Sequence, residues 1–527
     1  MGVRVTLPGL GQWRPHGKCQ ARCPVARARS GGFNVCASLL AILISTATVP
    51  AGLSAQTLMP PGTPAQSPAP SPAQPARTWQ WTLTNLTRAE SWHFFEPPTT
   101  GGNPDYTFLA NRLRVALTGT WKRFDLNAAA QYVQFGGLPT GAVGPGPLGT
   151  GALYYQHAGR TDSYGAYVRT LSLRARLPHG VTLQGGRFGY TSGSEAPSGR
   201  PKIEAVKRAR VDSRMVGEFE WSLYQRTFDG LRGDVDRKAW HVTGAWLRPT
   251  QGGFEEMAGS SLSGIDVFAG TVAVRPDVAL PKTDLSIFAY RYNDDRAVTA
   301  RPDNSGRTAS RVDVGITTFG AAAVGTAPAR RGDVDWLAWF AGQTGTWYGQ
   351  DHRAWSLAIE AGYQWKARWQ PWVRAGYLHA SGDPDAADAR HGTFFPMLPT
   401  VRKYSMTTAY ATMNLRDLFA EVIVRPTARV TARADIRRLW LANGRDLWYA
   451  GSGATQNTGT FFGYGGRRSG GSTDLAPAVI EGAVDVTLGR HWSANAFLGS
   501  IRGGQVVAAS FPGRWLRFFY LENVVQW

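Results

Sequence analysis

The last fourteen residues, Arg514-Trp-Leu-Arg-Phe-Phe-Tyr-Leu-Glu-Asn-Val-Val-Gln-Trp527, alternate in character and finish on an aromatic ring. Phe519, Leu521, Val525 and Trp527 fall on one face with Asn523 among them, while Glu522, Val524 and Gln526 fall on the other. A strand turns successive side chains to opposite faces. A final strand of about ten residues with one apolar face and a terminal aromatic is expected to close a bacterial outer-membrane barrel. Few architectures are so restrictive. Hydrocarbon offers nothing to hydrogen-bond, so every backbone N–H and C=O must be paired inside the protein and no sheet edge can stay open.

The same period recurs from about Trp79 onward. Trp355, Leu357, Ile359, Ala361, Tyr363 and Trp365 alternate with Ser356, Ala358, Glu360, Gly362, Gln364 and Lys366. Val430, Ala432, Ala434 and Ile436 alternate with Thr431, Arg433, Asp435 and Arg437, and Ile480, Gly482, Val484, Val486 and Leu488 with Glu481, Ala483, Asp485 and Thr487. Leu126, Ala128, Ala130 and Tyr132 alternate with Asn127, Ala129 and Gln131. One face suits lipid and the other water. A soluble sandwich shows the same alternation, but the aromatics at strand ends (Trp355 and Trp365, Trp440, Trp448 and Tyr449) read as interfacial girdles. Short connections such as 177–180 and 488–491 suit periplasmic turns. The long ones rich in Gly, Pro, Asp or Ser, at 136–151, 190–209, 293–310, 378–403 and 451–474, suit extracellular loops. The expected fold is all-β: a transmembrane antiparallel β-barrel of about 18 strands, with 16 as the alternative, over residues 78–527.

Residues 1–55 carry six basic groups and no acidic one, then an apolar run, Ala37–Val49, too short for a spanning helix that needs about 20 residues. This reads as a signal peptide cleaved near Ala55. Residues 56–77 hold seven prolines and almost no large apolar side chain, as expected of an extended periplasmic lead-in too short to be a globular plug. All three cysteines, Cys19, Cys23 and Cys36, fall before residue 55, so the mature chain has no thiol for a nucleophile, a metal or a disulfide.

The net charge is +20, built from 49 Arg and eight Lys against 37 acidic residues. A nucleic-acid binder gathers its charge in a stripe or tail. Here Arg recurs along the whole chain, which argues against a nucleic-acid partner. Arg112 and Arg114 oppose Leu113, Val115 and Leu117; Arg174 and Arg176 oppose Leu173, Ala175 and Leu177; Arg433 and Arg437 flank Asp435. A charge facing lipid at mid-membrane costs roughly 2–4 kcal/mol, so these should face the lumen. They would serve either as scaffold against Asp and Glu or as a lining that favours an anionic solute.

Four stretches resemble the bacterial alginate-export family of outer-membrane porins, over most of 79–527. They are Asp105-Tyr-Thr-Phe-Leu-Ala-Asn-Arg-Leu-Arg114; Leu183-Gln-Gly-Gly-Arg187, with Phe188 where the family has Gln; Arg214-Met-Val-Gly-Glu-Phe-Glu-Trp-Ser-Leu-Tyr-Gln-Arg-Thr-Phe-Asp-Gly-Leu-Arg232; and the 379–400 segment with Ser381-Gly-Asp383 and Phe395-Pro-Met-Leu-Pro-Thr400. The resemblance implies a porin with an anionic passage. It also implies that Arg187, Arg214, Arg226, Asp229 and Arg232 belong to a conserved lumen-facing pattern. With Arg112, Arg114, Arg174, Arg433, Asp435 and Arg437 these make the expected solute path, Arg226 facing the lumen and Asp229 near a strand end.

No cofactor is expected. Asp383, Asp385 and Asp388 could offer oxygens to Ca²⁺, but they lack the Gly and closing Glu of an EF-hand loop. No Gly-x-Ser-x-Gly elbow accompanies the scattered histidines, so an enzyme is not expected, and a barrel enzyme or adhesin stands as a remote alternative. The expected protein is an unobstructed passive channel of the bacterial outer membrane. Its partners would be lipid, an anionic solute or exopolysaccharide such as alginate and, for export, periplasmic proteins. Uptake of small organic acids is the alternative.

Overall fold

The computed structural model describes residues 78–400, 404 and 409–527; the expected signal segment 1–55 and lead-in 56–77 lie outside the described residues. Eighteen antiparallel strands close into one barrel. They are β1 (Thr78–His93), β2 (Asp105–Trp121), β3 (Phe124–Gly136), β4 (Ser163–Leu177), β5 (Val181–Phe188), β6 (Phe228–Asp236), β7 (Trp240–Pro249), β8 (Ile265–Val274), β9 (Thr283–Asp294), β10 (Val314–Ala329), β11 (Gly332–Trp347), β12 (Gln350–Trp365), β13 (Trp372–Ala380), β14 (Leu415–Thr427), β15 (Val430–Leu441), β16 (Asp474–Thr487), β17 (Trp492–Arg502) and β18 (Trp515–Gln526). Each pairs with its sequence neighbours, and β18 returns to β1 from Thr84↔Gln526 to His93↔Arg517. Leu83 and Trp527 exchange both backbone hydrogen bonds at 2.9 Å, so the seam is paired to its end.

Alternation sets the faces as the sequence predicts. Leu109, Leu113, Leu171, Leu173, Ile359, Leu418, Ile436, Ile480 and Leu498 are exposed on the outer wall, where lipid would cover them. The residues between them, such as Arg112, Glu360, Arg437 and Glu481, are buried inside. Trp79, Trp81, Trp240, Trp365, Trp369, Trp492 and Trp527 form an exposed aromatic belt at the end that holds both termini of the barrel. Connections there are short, as at 122–123, 178–180, 330–331 and 428–429. Gly180 makes one possible: its φ is +64°, and a Cβ would come within 2.3 Å of the Asp236 carbonyl.

Two expectations fail at the opposite end. Trp448 and Tyr449 are not girdle residues. They are buried in a small hairpin, 448–451 with 464–467, inside the loop region. Nor is 190–209 a plain exposed loop, because it contains the helix α2 (Pro201–Arg210); an earlier helix, α1 (Thr150–Ala158), follows the 136–151 segment. Proline at the first turn of α2 and Lys207, Arg208 and Arg210 in its last turn suit a helix start and end.

Wall height varies. Strands β10, β11 and β12 are 16 residues each, whereas β5 to β8 have 8 to 10. The longest inward excursion of the chain, residues 189–227, leaves from this low side.

Candidate solute path

Lumen charges on β12 to β18 and β1 come as alternating cations and carboxylates. Arg88 meets Glu522 at 2.6 Å and Glu90 at 3.1 Å. Arg433 meets Asp435 at 2.6 Å and Glu421 at 3.0 Å, and Arg437 meets Asp417 at 2.7 Å and Asp435 at 3.4 Å. Arg374 holds Asp335 and lies 3.1 Å from Glu360. Carboxylates shared between guanidiniums in this way neutralise the wall and fix its side chains.

The 189–227 segment enters the barrel and anchors along its inner wall. Arg200 pairs with Asp277 in the turn after β8, Lys202 lies 3.3 Å from Asp335, and Lys207 lies 3.2 Å from Asp284. Arg210 and Arg214 both reach Glu360, at 2.8 and 3.1 Å. Beyond α2 the chain crosses to the other wall. Glu218 pairs with Arg169 on β4, Gln225 accepts from Arg114 on β2, and the Trp221 carbonyl accepts from Arg88 on β1 at 2.9 Å. The 381–414 connection joins it, with Gly217 N donating to Leu398 O at 2.8 Å and Thr400 N to Ser213 O at 3.0 Å. The expected unobstructed lumen is therefore narrowed by the barrel's own connections, tied from wall to wall.

The sequence-predicted residues divide into four groups. Arg433, Asp435 and Arg437 line the lumen as a paired ladder, and Arg232 lies inside against Asp234 at 2.7 Å. Arg112, Arg114 and Arg174 face the lumen from β2 and β4, with amides rather than carboxylates as hydrogen-bond partners; Glu522, Glu218, Asp234 and Asp125 act on them from farther off. Arg114 bonds Gln131 at 2.9 Å and Gln225, Arg174 bonds Gln184 at 3.2 Å, and Arg112 Nη1 has no partner among the described residues.

Arg214 and Arg226 form the third group, in the inward segment rather than on a strand. Arg226 is corrected from lumen lining to packed interior. It is 1 % exposed and covers Phe219, its Nη2 donates to Ser452 O at 2.8 Å, and Nε and Nη1 have no hydrogen-bond partner among the described residues. Burial lowers its pKa to about 10. Arg187 and Asp229 are the last group and a second correction. They pair at 2.7 Å on the face of exposed Leu183 and Leu231, outside the barrel, because the register sets Arg187 opposite Leu171.

The three aspartates considered for Ca²⁺ serve local turns. Asp383 accepts from Asp385 N, Asp385 from Ala387 N and Asp388 from Arg390 N. Among the described residues no group of three or more His, Cys, Asp or Glu could hold a metal ion. Asp383 is buried, and burial pushes its pKa up to about 7, with Asp446, Asp388 and Asp303 adding to the rise and the Asp385 N–H opposing it.

Sequence reasoning missed Glu360, Arg88, Glu522, Arg169 and Glu218 as site residues. Glu360 and Glu522 stand on polar strand faces already visible in the pattern. Their partners do not, because the pairs join residues as far apart as Arg88 and Glu522.

A family model described as alginate export matches residues 194–511. The chain is similar to the crystal structure of Pseudomonas aeruginosa OccK9 (OpdG), with 10 % identity, 85 % of this chain and 98 % of that chain covered, and a TM-score of 0.53. It is similar to a BenF-like porin from Pseudomonas fluorescens Pf-5, with 9 % identity, 85 % and 98 % covered and a TM-score of 0.52. A third similar structure is Pseudomonas aeruginosa OccK2 (OpdF) in complex with glucuronate, with 8 % identity, 85 % and 97 % covered and a TM-score of 0.51. At such identities the likeness is one of fold. No match was found among curated proteins. Fold and family together place the barrel in the bacterial outer membrane as a porin-like channel.

Proposed function

This chain belongs to the alginate-export family, and on that premise we propose a passive channel for carboxylated sugars, with Arg112, Arg114 and Arg174 as its anion track. The observation that carries the reading is the division of the lumen. On β14 and β15 the guanidiniums share carboxylates in direct ion pairs, while on β2 and β4 these three form no ion pair among the described residues and take amides as hydrogen-bond partners where they have any. An amide orients a guanidinium without neutralising it, so a bidentate site for a solute carboxylate stays open. The paired ladder keeps the potential from trapping the solute, since conduction needs contacts weak enough to release. Arg433, Asp435, Arg437 and Arg232 act in this reading as wall, and Arg214 fastens the inward segment. The channel does no chemistry on its solute.

An anionic exopolysaccharide leaving the cell, handed on by periplasmic partners, fits the family. Uptake of single uronates is the second reading. It is favoured by the lumen-crossing segment 212–227 and supported by glucuronate in the OccK2 structure.

In planar bilayers with a salt gradient the open channel should prefer anions, more so at low salt, because charge is screened over about 10 Å at 0.1 M. R112Q/R114Q/R174Q should bring the anion-to-cation ratio severalfold toward unity. Cation preference of the unaltered channel at low salt would refute the anion track. Flux of glucuronate against oligouronates through proteoliposomes separates the two solute readings.

A further inference from the structure

Alternation also carries charge to the outer face. At the loop end of β17, β18 and β1, Arg502, Arg517 and His93 point away from the lumen, on the faces that hold exposed Leu498, Phe519 and Trp515. Register brings them together. Arg517 stands opposite Ser500 on β17 and His93 on β1, while Arg502 stands opposite Trp515. Diagonal neighbours across such a pair lie about 7–8 Å apart, which makes Arg502 and Arg517 one patch. Arg514, exposed just before β18, adds a third guanidinium.

Elsewhere on the outer rim several arginines have carboxylate partners: Arg248 with Asp266 at 3.0 Å, Arg353 with Asp351 at 2.8 Å and Arg438 with Asp474 at 3.0 Å. Arg291 and Arg416 bond Asn293 and the Leu441 carbonyl and stand singly. Arg502, Arg514 and Arg517 have no ion pair among the described residues. Of the two carboxylates bordering the patch, Asp105 is held by His93 Nδ1 at 2.7 Å. The other, Glu96, meets the 503–514 connection through its backbone, accepting from Gly513 N at 3.2 Å.

We infer that this patch is a binding site for the phosphate headgroup of the outer-leaflet glycolipid, lipid A. Trp515 is level with Arg502, Arg517 stands one step further in, and Phe519 and Leu498, opposite each other, and then Leu521 continue the exposed apolar face toward the membrane centre. The cations thus stand at the loop-end margin of that face, where a lipid's headgroup meets its chains. A phosphate accepts two N–H groups of a guanidinium at once, and two diagonal arginines can clasp one phosphate or a pair. The site faces lipid, so it stands apart from the solute reading.

The test uses the intact barrel purified in detergent, titrated by native mass spectrometry with bisphosphorylated lipid A and with the same lipid lacking its phosphates. The unaltered protein should bind the phosphorylated form about tenfold more tightly, and R502Q/R517Q should lose most of that difference. Equal binding of the two lipids by the unaltered protein would overturn the site, as would undiminished discrimination by R502Q/R517Q. Phosphatidylglycerol competing as well as lipid A would overturn the choice of glycolipid. The comparison of the two lipids on the unaltered protein decides the matter even if R502Q/R517Q does not fold.

Discussion

Single residues show how far a charge's meaning depends on what it faces. Arg226 sits in the most family-specific stretch of the sequence, yet its guanidinium is buried against Phe219 and the Ser452 carbonyl. Arg187 lies on a strand, but one step of register puts it on the outer wall with Asp229. Neither outcome could be read from residue type, because alternation gives a face only once a strand's limits are known. Arg112 and Arg114 were legible since they alternate with Leu113 and Val115 on a long regular strand. Asp383 carries a prediction at this scale. Its pKa stands near 7 when the loop is packed, against about 3.9 for an exposed aspartate. The packed loop therefore holds a proton that the open loop gives up. Packing should be strongest at low pH, weaken as pH rises from about 4 to about 7, and change little above that. Hydrogen-exchange protection of the 381–400 amides, corrected for intrinsic rate, should fall between pH 5 and pH 8, and D383N should flatten the profile. Equal protection at both pH values in the unaltered protein would show that Asp383 ionises freely there.

Among elements, strands were the part the sequence disclosed. Their apolar faces meet one solvent, lipid, along the whole wall, so neighbours enforce period two except at a few bulges, as opposite Ala129 and Ala130 and beside Arg437 and Leu439. Connections obey no such rule. The 378–403 stretch is polar and acidic at its start, and it reads as one extracellular loop. In the structure it divides. Residues 384–390 are mostly exposed, whereas 391–400 are buried and pair with the inward segment through Val216↔Leu398. Hydrophobic residues in this second half, Phe394, Phe395, Met397 and Leu398, were the available signal, since a solvated loop has no use for four of them together. The division is open to direct measurement. A cysteine introduced at Ala387 should react with an impermeant maleimide on intact cells, and one at Met397 should not react until the protein is unfolded. Reaction at both sites on intact cells would mean that the loop stands clear of the barrel, and reaction at neither would place the 384–390 tip away from the cell surface.

For the whole molecule, the barrel and its filling solve different problems. Closure from β1 to β18 satisfies the backbone in lipid and needs nothing inside. The 189–227 segment satisfies the charges that closure turns inward on β9, β11 and β12. Asp284, Asp335 and Glu360 all receive cations from it. Removing one partner of a buried pair costs about 3–5 kcal/mol, so a simple deletion would confuse a wider pore with a weaker wall. Replacing 195–222 by a short Gly-Ser linker together with D284N, D335N and E360Q removes both sides of each pair and leaves Arg374 with neutral partners. This barrel should still run as a folded, heat-modifiable band. It should conduct several times more current, because the bonds from Trp221 to Arg88 and from Glu218 to Arg169 that span the lumen are gone. Its selectivity then assigns the anion preference. If Arg112, Arg114 and Arg174 set it, the wider channel keeps an anionic reversal potential at low salt that R112Q/R114Q/R174Q abolishes. If the cations of α2 set it, the preference disappears with the segment, and the strand arginines are scaffold.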